Sequence, residues 1–115
     1  MAKITPETRI KNEKERLLRL FAGIDENKLE TVQALIDRAA FMTVALEDLE
    51  LELVKNGWVE TYQHGKNQTG KKKSVAAEAH LSLTRNLTAI IKQLLELVPA
   101  AQKSDAISEL AAMFE

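Results

Sequence analysis

Apolar residues recur at helical spacing in three stretches of the chain, interrupted at residues 23–27 and 56–74. In the middle stretch Val32, Leu35, Ala39, Met42, Leu46, Leu49 and Leu53 follow one another at alternating steps of three and four. That spacing sets them on one seam of a continuous helix. Asp25 stands where an N-cap belongs and Asn56-Gly57 where the helix must stop, which predicts a helix of about 30 residues, roughly 45 Å long. Leu29, Ile36, Phe41, Val44, Leu51 and Val54 lie off the seam. A helix with so much apolar girth needs at least two neighbours.

A second stripe, Leu83, Leu87, Ile90, Leu94 and Leu97, with Leu81, Thr84, Ile91 and Val98 beside it, predicts another helix, capped by Ser74 and ended by Pro99. Two long stripes separated by a glycine-containing loop predict an antiparallel helical hairpin. Upstream, Thr5 as N-cap, Pro6 at the first helical position and Glu7 in the first turn open a helix that ends before Gly23. Its apolar residues are Ile10, Leu17, Leu18, Leu20 and Phe21, so its first half is expected to be weakly anchored. Between the long helices, Trp58-Val59-Glu60-Thr61-Tyr62 alternates apolar and polar residues and predicts a short strand at 58–62. Residues 64–74 read as a turn-rich loop. Near the end, Ser104 is the expected cap of a short helix whose face is Ile107, Leu110, Ala111 and Phe114.

The expected fold is therefore all-α. A basic N-terminal helix (1–22) precedes a long hairpin that serves as an oligomerisation core (25–98), and a short C-terminal helix or tail follows (99–115). With only five aromatic residues, the segments must share a core of aliphatic side chains.

Composition narrows the chemistry. The chain has no cysteine, which excludes disulfides and thiolate metal sites. No apolar run approaches the roughly 20 residues that span a bilayer. The opening MAKITPETR has no signal-like apolar stretch, so a cytoplasmic location is expected, with no membrane partner.

The net charge of −1 conceals a segregated pattern: +3 over residues 1–22, −6 over 25–54 and +4 over 55–74. Segregation of this kind implies an oppositely charged partner, or neighbouring subunits whose charged segments meet.

Catalytic patterns are weak. Gly65-Lys66-Asn67-Gln68-Thr69-Gly70-Lys71 has the glycine and lysine spacing of a phosphate-binding loop. Lys72, however, stands where Ser or Thr would hold magnesium, and the 41 residues after Ser74 look helical rather than βαβ. His64 and His80 are the only histidines and lack ligand spacing, so each reads as a surface histidine and no metal or other cofactor is expected. Ser74 and Ser82 have no evident base. The acidic run Glu47, Asp48, Glu50 and Glu52 reads as a solvated helix face or an intersubunit charge partner.

Two basic clusters suit phosphate contact: Lys3, Arg9, Lys11, Lys14, Arg16 and Arg19 on the first helix, and Lys66, Lys71, Lys72 and Lys73 in the loop. The plain alternative is that they solubilise an exposed helix and loop.

The run from Leu53-Val54-Lys55-Asn56-Gly57 through Tyr62-Gln63-His64-Gly65-Lys66-Asn67-Gln68-Thr69-Gly70 to Lys73-Ser74 resembles small terminase subunits of tailed phages and prophages. Arg85-Asn86-Leu87-Thr88-Ala89-Ile90-Ile91-Lys92-Gln93-Leu94 downstream and Leu35-Ile36-Asp37-Arg38-Ala39-Ala40-Phe41-Met42 upstream extend the likeness to roughly residues 25–99. The resemblance implies a non-enzymatic part of a viral genome-packaging motor. Such a part forms a homo-oligomeric ring, binds double-stranded viral DNA and engages the ATP-hydrolysing terminase large subunit. Under it, the seam from Val32 to Leu53 is the expected oligomer interface, the two basic clusters are the DNA-binding residues, and the C-terminal tail meets the large subunit. A helical oligomeric adaptor that touches no nucleic acid is the rival expectation, and a nucleotide hydrolase built on the glycine loop is a third.

Overall fold

The computed structural model describes residues 4–63 and 69–112. Helix α1 spans Pro6–Leu18 and runs on into a 3₁₀ turn at Arg19–Phe21; α2 spans Glu26–Asn56. A β-hairpin follows, β1 Val59–Gln63 and β2 Thr69–Lys73, then α3 Val75–Leu97, a 3₁₀ turn at Ala100–Gln102, and α4 Lys103–Ala111. The molecule is all-α apart from this hairpin.

Local chemistry explains most boundaries. The Thr5 side chain accepts a hydrogen bond from the Thr8 amide at 3.1 Å, and Ser74 accepts from the Ala77 amide at 3.0 Å. Both satisfy amides that a helix start leaves without carbonyl partners. Asp25 sits at the N-cap of α2, with no capping bond from its side chain. At the far end of α2 the Gly57 amide returns to the Leu53 carbonyl at 2.8 Å with φ at +84°, a left-handed conformation that suits glycine.

α2 and α3 pack as the antiparallel pair, and α1 lies antiparallel along a second face of α2. Its direction follows from two ion pairs: the earlier Arg9 meets the later Asp48, and the later Lys14 meets the earlier Asp37. Both neighbours that α2 requires therefore come from its own chain. Val32, Ile36, Ala39 and Leu46 join Leu87, Ile90, Ile91 and Leu94 of α3 and Val98 at its C-cap in one buried cluster, which also takes in Leu17, Leu20 and Phe21 from the N-terminal segment and Ala106 and Leu110 from α4. Residues 1–22, 25–98 and 99–115 thus contribute to a single core. α4 closes the end of the bundle away from the β-hairpin. Arg16 pairs with Glu109 there, the Gln102 side-chain Nε2 donates to the Ala22 carbonyl, and Lys103 Nζ reaches the Leu95 carbonyl at 2.7 Å.

Four expectations need correcting. The expected oligomer seam lies largely inside the molecule: Val32, Ala39, Leu46 and Leu53 are buried, and Leu35, Met42 and Leu49 are half-buried. A three-four stripe cannot say whether its partner helix lies in the same chain, and here α3 takes that place. Thr69–Lys73 was expected as loop but pairs with β1, with Val59 opposite Lys73 and Thr61 opposite Lys71. Ser104 lies within α4 rather than capping it, and α4 turns Ala106 and Leu110 inward, leaving Ile107 exposed. His80, expected as an unremarkable surface histidine, is half-buried and contacts Glu50 at 3.0 Å. Phe114, His64, Lys3 and Lys66 lie outside the described residues.

Candidate functional site

The sequence marks cations for phosphate contact, and the fold sorts them into two sets. On α1, Arg9 donates to Asp48 at 2.8 Å and lies 3.8 Å from Glu47, while Lys14 is 3.2 Å from Asp37. The Arg9 pKa is raised, first by its hydrogen bond to Asp48, with the charges of Asp48 and Glu47 adding to it against a lowering by burial. Arg16 is held by Glu13 on its own helix and by Glu109 on α4. Burial, the largest influence on Arg16, pulls its pKa down, and the hydrogen bonds and charges of Glu13 and Glu109 outweigh it to leave the pKa raised. Much of the basic helix is thus neutralised from within the chain, and the acidic run of α2 supplies Glu47 and Asp48 for that purpose. Lys11 and Arg19 remain exposed, with no ion pair among the described residues.

The second set lies on the β-hairpin. Strand alternation sends Lys71 and Lys73 to one face of β2 and Lys72 to the other. Lys72 reaches Glu60, its cross-strand partner, at 3.6 Å. Lys71 and Lys73 are exposed and enter no ion pair among the described residues. In this arrangement Gly70 and Lys71 belong to a paired strand. Their backbone does not form the turn into a helix N-terminus that cradles a nucleotide phosphate.

Beside these lysines lies an apolar surface that helix periodicity alone did not single out. Leu51 and Val54 at the end of α2, Trp58 and Val59 entering β1, and Val75 and Leu81 at the start of α3 are all exposed, Val54 to 86%. They gather at one end of the molecule because the β-hairpin joins these termini. Trp58, Val59, Lys73, Ala77, His80, Leu81 and Thr84 line an open groove of about 410 Å³. Its wall is fixed by three contacts: the Ser74 amide bonds the Trp58 carbonyl at 2.9 Å, the Trp58 and His80 rings meet edge to face at 5.6 Å, and His80 donates to Glu50. The alternation at Trp58-Val59 hinted at this end of the surface. No spacing rule links Glu50 to His80 across 30 residues.

Among the described residues no group of three or more His, Cys, Asp or Glu side chains could hold a metal ion, and no helix is long and apolar enough to cross a membrane. The arrangement offers exposed cations on a β-ribbon, a basic helix tied down by carboxylates, and an apolar end. Comparison with protein-family models, curated proteins and solved structures finds no match to this chain.

Proposed function

We propose that the protein is a terminase small subunit, a non-catalytic, ring-forming component of a viral genome-packaging motor that binds double-stranded DNA and engages the large ATPase subunit. The resemblance over residues 25–99 supplies the family, and one physical observation carries the assembly half of the reading: this chain exposes more surface than a stable monomer of its size does. Its accessible area is 8216 Å², against roughly 6,300 Å² expected for a monomer of this mass. An elongated chain with that much open surface has room for contacts with neighbouring copies. The exposed apolar end supplies chemistry for such contacts, and the long seam of α2, already packed on α3, does not.

For DNA, the β-hairpin lysines are the best placed. A two-stranded ribbon carrying Lys71 and Lys73 on one face fits a duplex backbone, and such contacts are sequence-independent and salt-sensitive. Lys11 and Arg19 extend the basic surface onto α1.

The internal neutralisation of Arg9, Lys14 and Arg16 favours one rival, the helical oligomeric adaptor that does not bind nucleic acid. Titrating a duplex with the protein at several salt concentrations separates the two. Binding is expected at low salt, and Lys71→Gln with Lys73→Gln should flatten the slope of log K against log salt by about 1.8. No binding at low salt selects the adaptor; binding with an unchanged slope moves the contact away from the hairpin.

A further inference from the structure

The two halves of α1 are retained by different forces. From Pro6 to Glu15 the only large apolar side chain is Ile10, so burial contributes little there. What ties this half to α2 is a set of ion pairs, Arg9 to Asp48 and Glu47 and Lys14 to Asp37, and in each pair the carboxylate is at least half exposed. Exposed pairs of this kind are individually weak and are screened by salt. From Leu17 onward the helix is anchored differently, with Leu17, Leu20 and Phe21 all in the main core.

Beneath the weakly held half, Asp37, Ala40, Val44 and Asp48 follow at steps of three and four and so share one stripe of α2. Ala40 and Val44 are buried, yet they stand apart from the main core cluster. The pairing of Lys14 and Arg9 with the two ends of that stripe identifies α1 as the cover over its middle. Because the covered side chains are small, lifting α1 uncovers little apolar surface.

We propose that Asp37, Glu47 and Asp48 act as an internal stand-in for phosphate. They hold the first half of α1 closed on α2, and a phosphodiester backbone takes Arg9 and Lys14 from them, swinging the helix outward about the Leu17, Leu20 and Phe21 anchor. This rests on the DNA-binding reading above and adds a competition to it. Guanidinium and ammonium groups that grip carboxylates grip phosphate oxygens by the same charge-assisted hydrogen bonds. A polyanion presents many such oxygens together, where α2 presents three separate carboxylates. Sodium chloride alone also opens the latch, by screening.

The natural chain has no cysteine, so a single thiol reports the opening without interference. Val44→Cys in the full chain, treated with the uncharged reagent N-ethylmaleimide, should react slowly in low salt. It should react about tenfold faster with saturating random-sequence DNA duplex, the population change expected from losing a few exposed ion pairs. Ala40→Cys gives the same readout should Val44→Cys fold poorly. Leu94→Cys, in the main core, should stay slow throughout. The combination Asp37→Asn, Glu47→Gln, Asp48→Asn should speed labelling of Val44→Cys without DNA, and the charge-matched Glu26→Gln, Glu30→Gln, Glu96→Gln should not.

Duplex binding, seen by fluorescence anisotropy, with no change in Val44→Cys labelling overturns the latch and leaves the DNA reading standing. Equal acceleration of Leu94→Cys overturns it as well, because the whole fold then opens. A duplex that gives no anisotropy change defeats the DNA reading and removes the displacing ligand. Even then, Val44→Cys labelling in raised sodium chloride and in the triple carboxylate variant decides the latch: faster labelling in both upholds it, and an unchanged rate in both overturns it.

Discussion

Leu87 and Gly57 mark two different ways in which one residue controls this molecule. Leu87, 1% exposed on α3, faces the main cluster, where its removal leaves a cavity that neighbours fill only in part. Leu87→Ala is expected to cost about 2–5 kcal/mol, read as a lower denaturant midpoint at constant slope in urea unfolding. A loss below about 1 kcal/mol would mean that α2 and α3 can close over the gap. Gly57 makes its contribution through backbone alone. A Cβ built there meets nothing within 4 Å, so there is no clash to relieve, yet φ is +84°. Gly57→Ala should therefore cost about 1–2 kcal/mol from conformational strain. Thermal unfolding of the two variants separates the mechanisms, because only Leu87→Ala also removes buried apolar area and with it heat capacity of unfolding.

At the scale of elements, the helices were legible in the sequence because their signals are local. Thr5, Ser74, Gly57 and Pro99 punctuate the chain, and the three-four stripes of α2 and α3 identify their buried faces correctly at Leu46, Leu53, Leu87 and Leu94. What lay beyond reach was the identity of the neighbours. Periodicity gave α2 two partners without naming them, and the pairing of the basic α1 with Asp37, Glu47 and Asp48 depends on antiparallel docking that no single-helix pattern encodes. β2 was missed for a related reason. Thr-Gly-Lys-Lys-Lys has little strand propensity of its own and is extended because β1 offers it a register. The candidate lysines were visible as a charge run, but their division into opposite faces was not, since it follows from that register. Ser74 ties this hairpin to α3: its side chain caps the helix while its amide bonds Trp58. Ser74→Ala removes the cap alone, at a cost of about 1 kcal/mol. Hydrogen exchange should then quicken at Ala77 and its neighbours while the β-ladder stays protected. Equal loss in both would make the cap and hairpin one cooperative unit.

On the scale of the whole molecule, the controlling quantity is shape. The radius of gyration is 18.0 Å, against about 13 Å for a compact domain of this length, and the principal extents are 63 × 36 × 23 Å. A rod of three helices with one capped end has a high ratio of surface to core. Its open end exposes Leu51, Val54, Trp58, Val59, Val75 and Leu81 beside the hairpin lysines. If these residues form the contact between subunits, Leu51→Glu with Val54→Glu should break the assembly without unfolding the protomer, because both side chains are exposed and glutamate is a good helix former. Native mass spectrometry of the unaltered protein near neutral pH should then give a closed assembly of several subunits, on the order of eight to ten if the ring implied by the resemblance is formed. The double variant should give monomer with an unchanged helical circular-dichroism signal. Should the variant assemble as before, the contact must lie elsewhere, and the half-exposed Phe41 face of α2 becomes the next surface to alter. A monomer for the unaltered chain at all concentrations would leave the apolar end needing a different occupant. That outcome would make the large ATPase subunit of the proposed function, rather than a second copy, the first partner to test against Trp58 and Leu81.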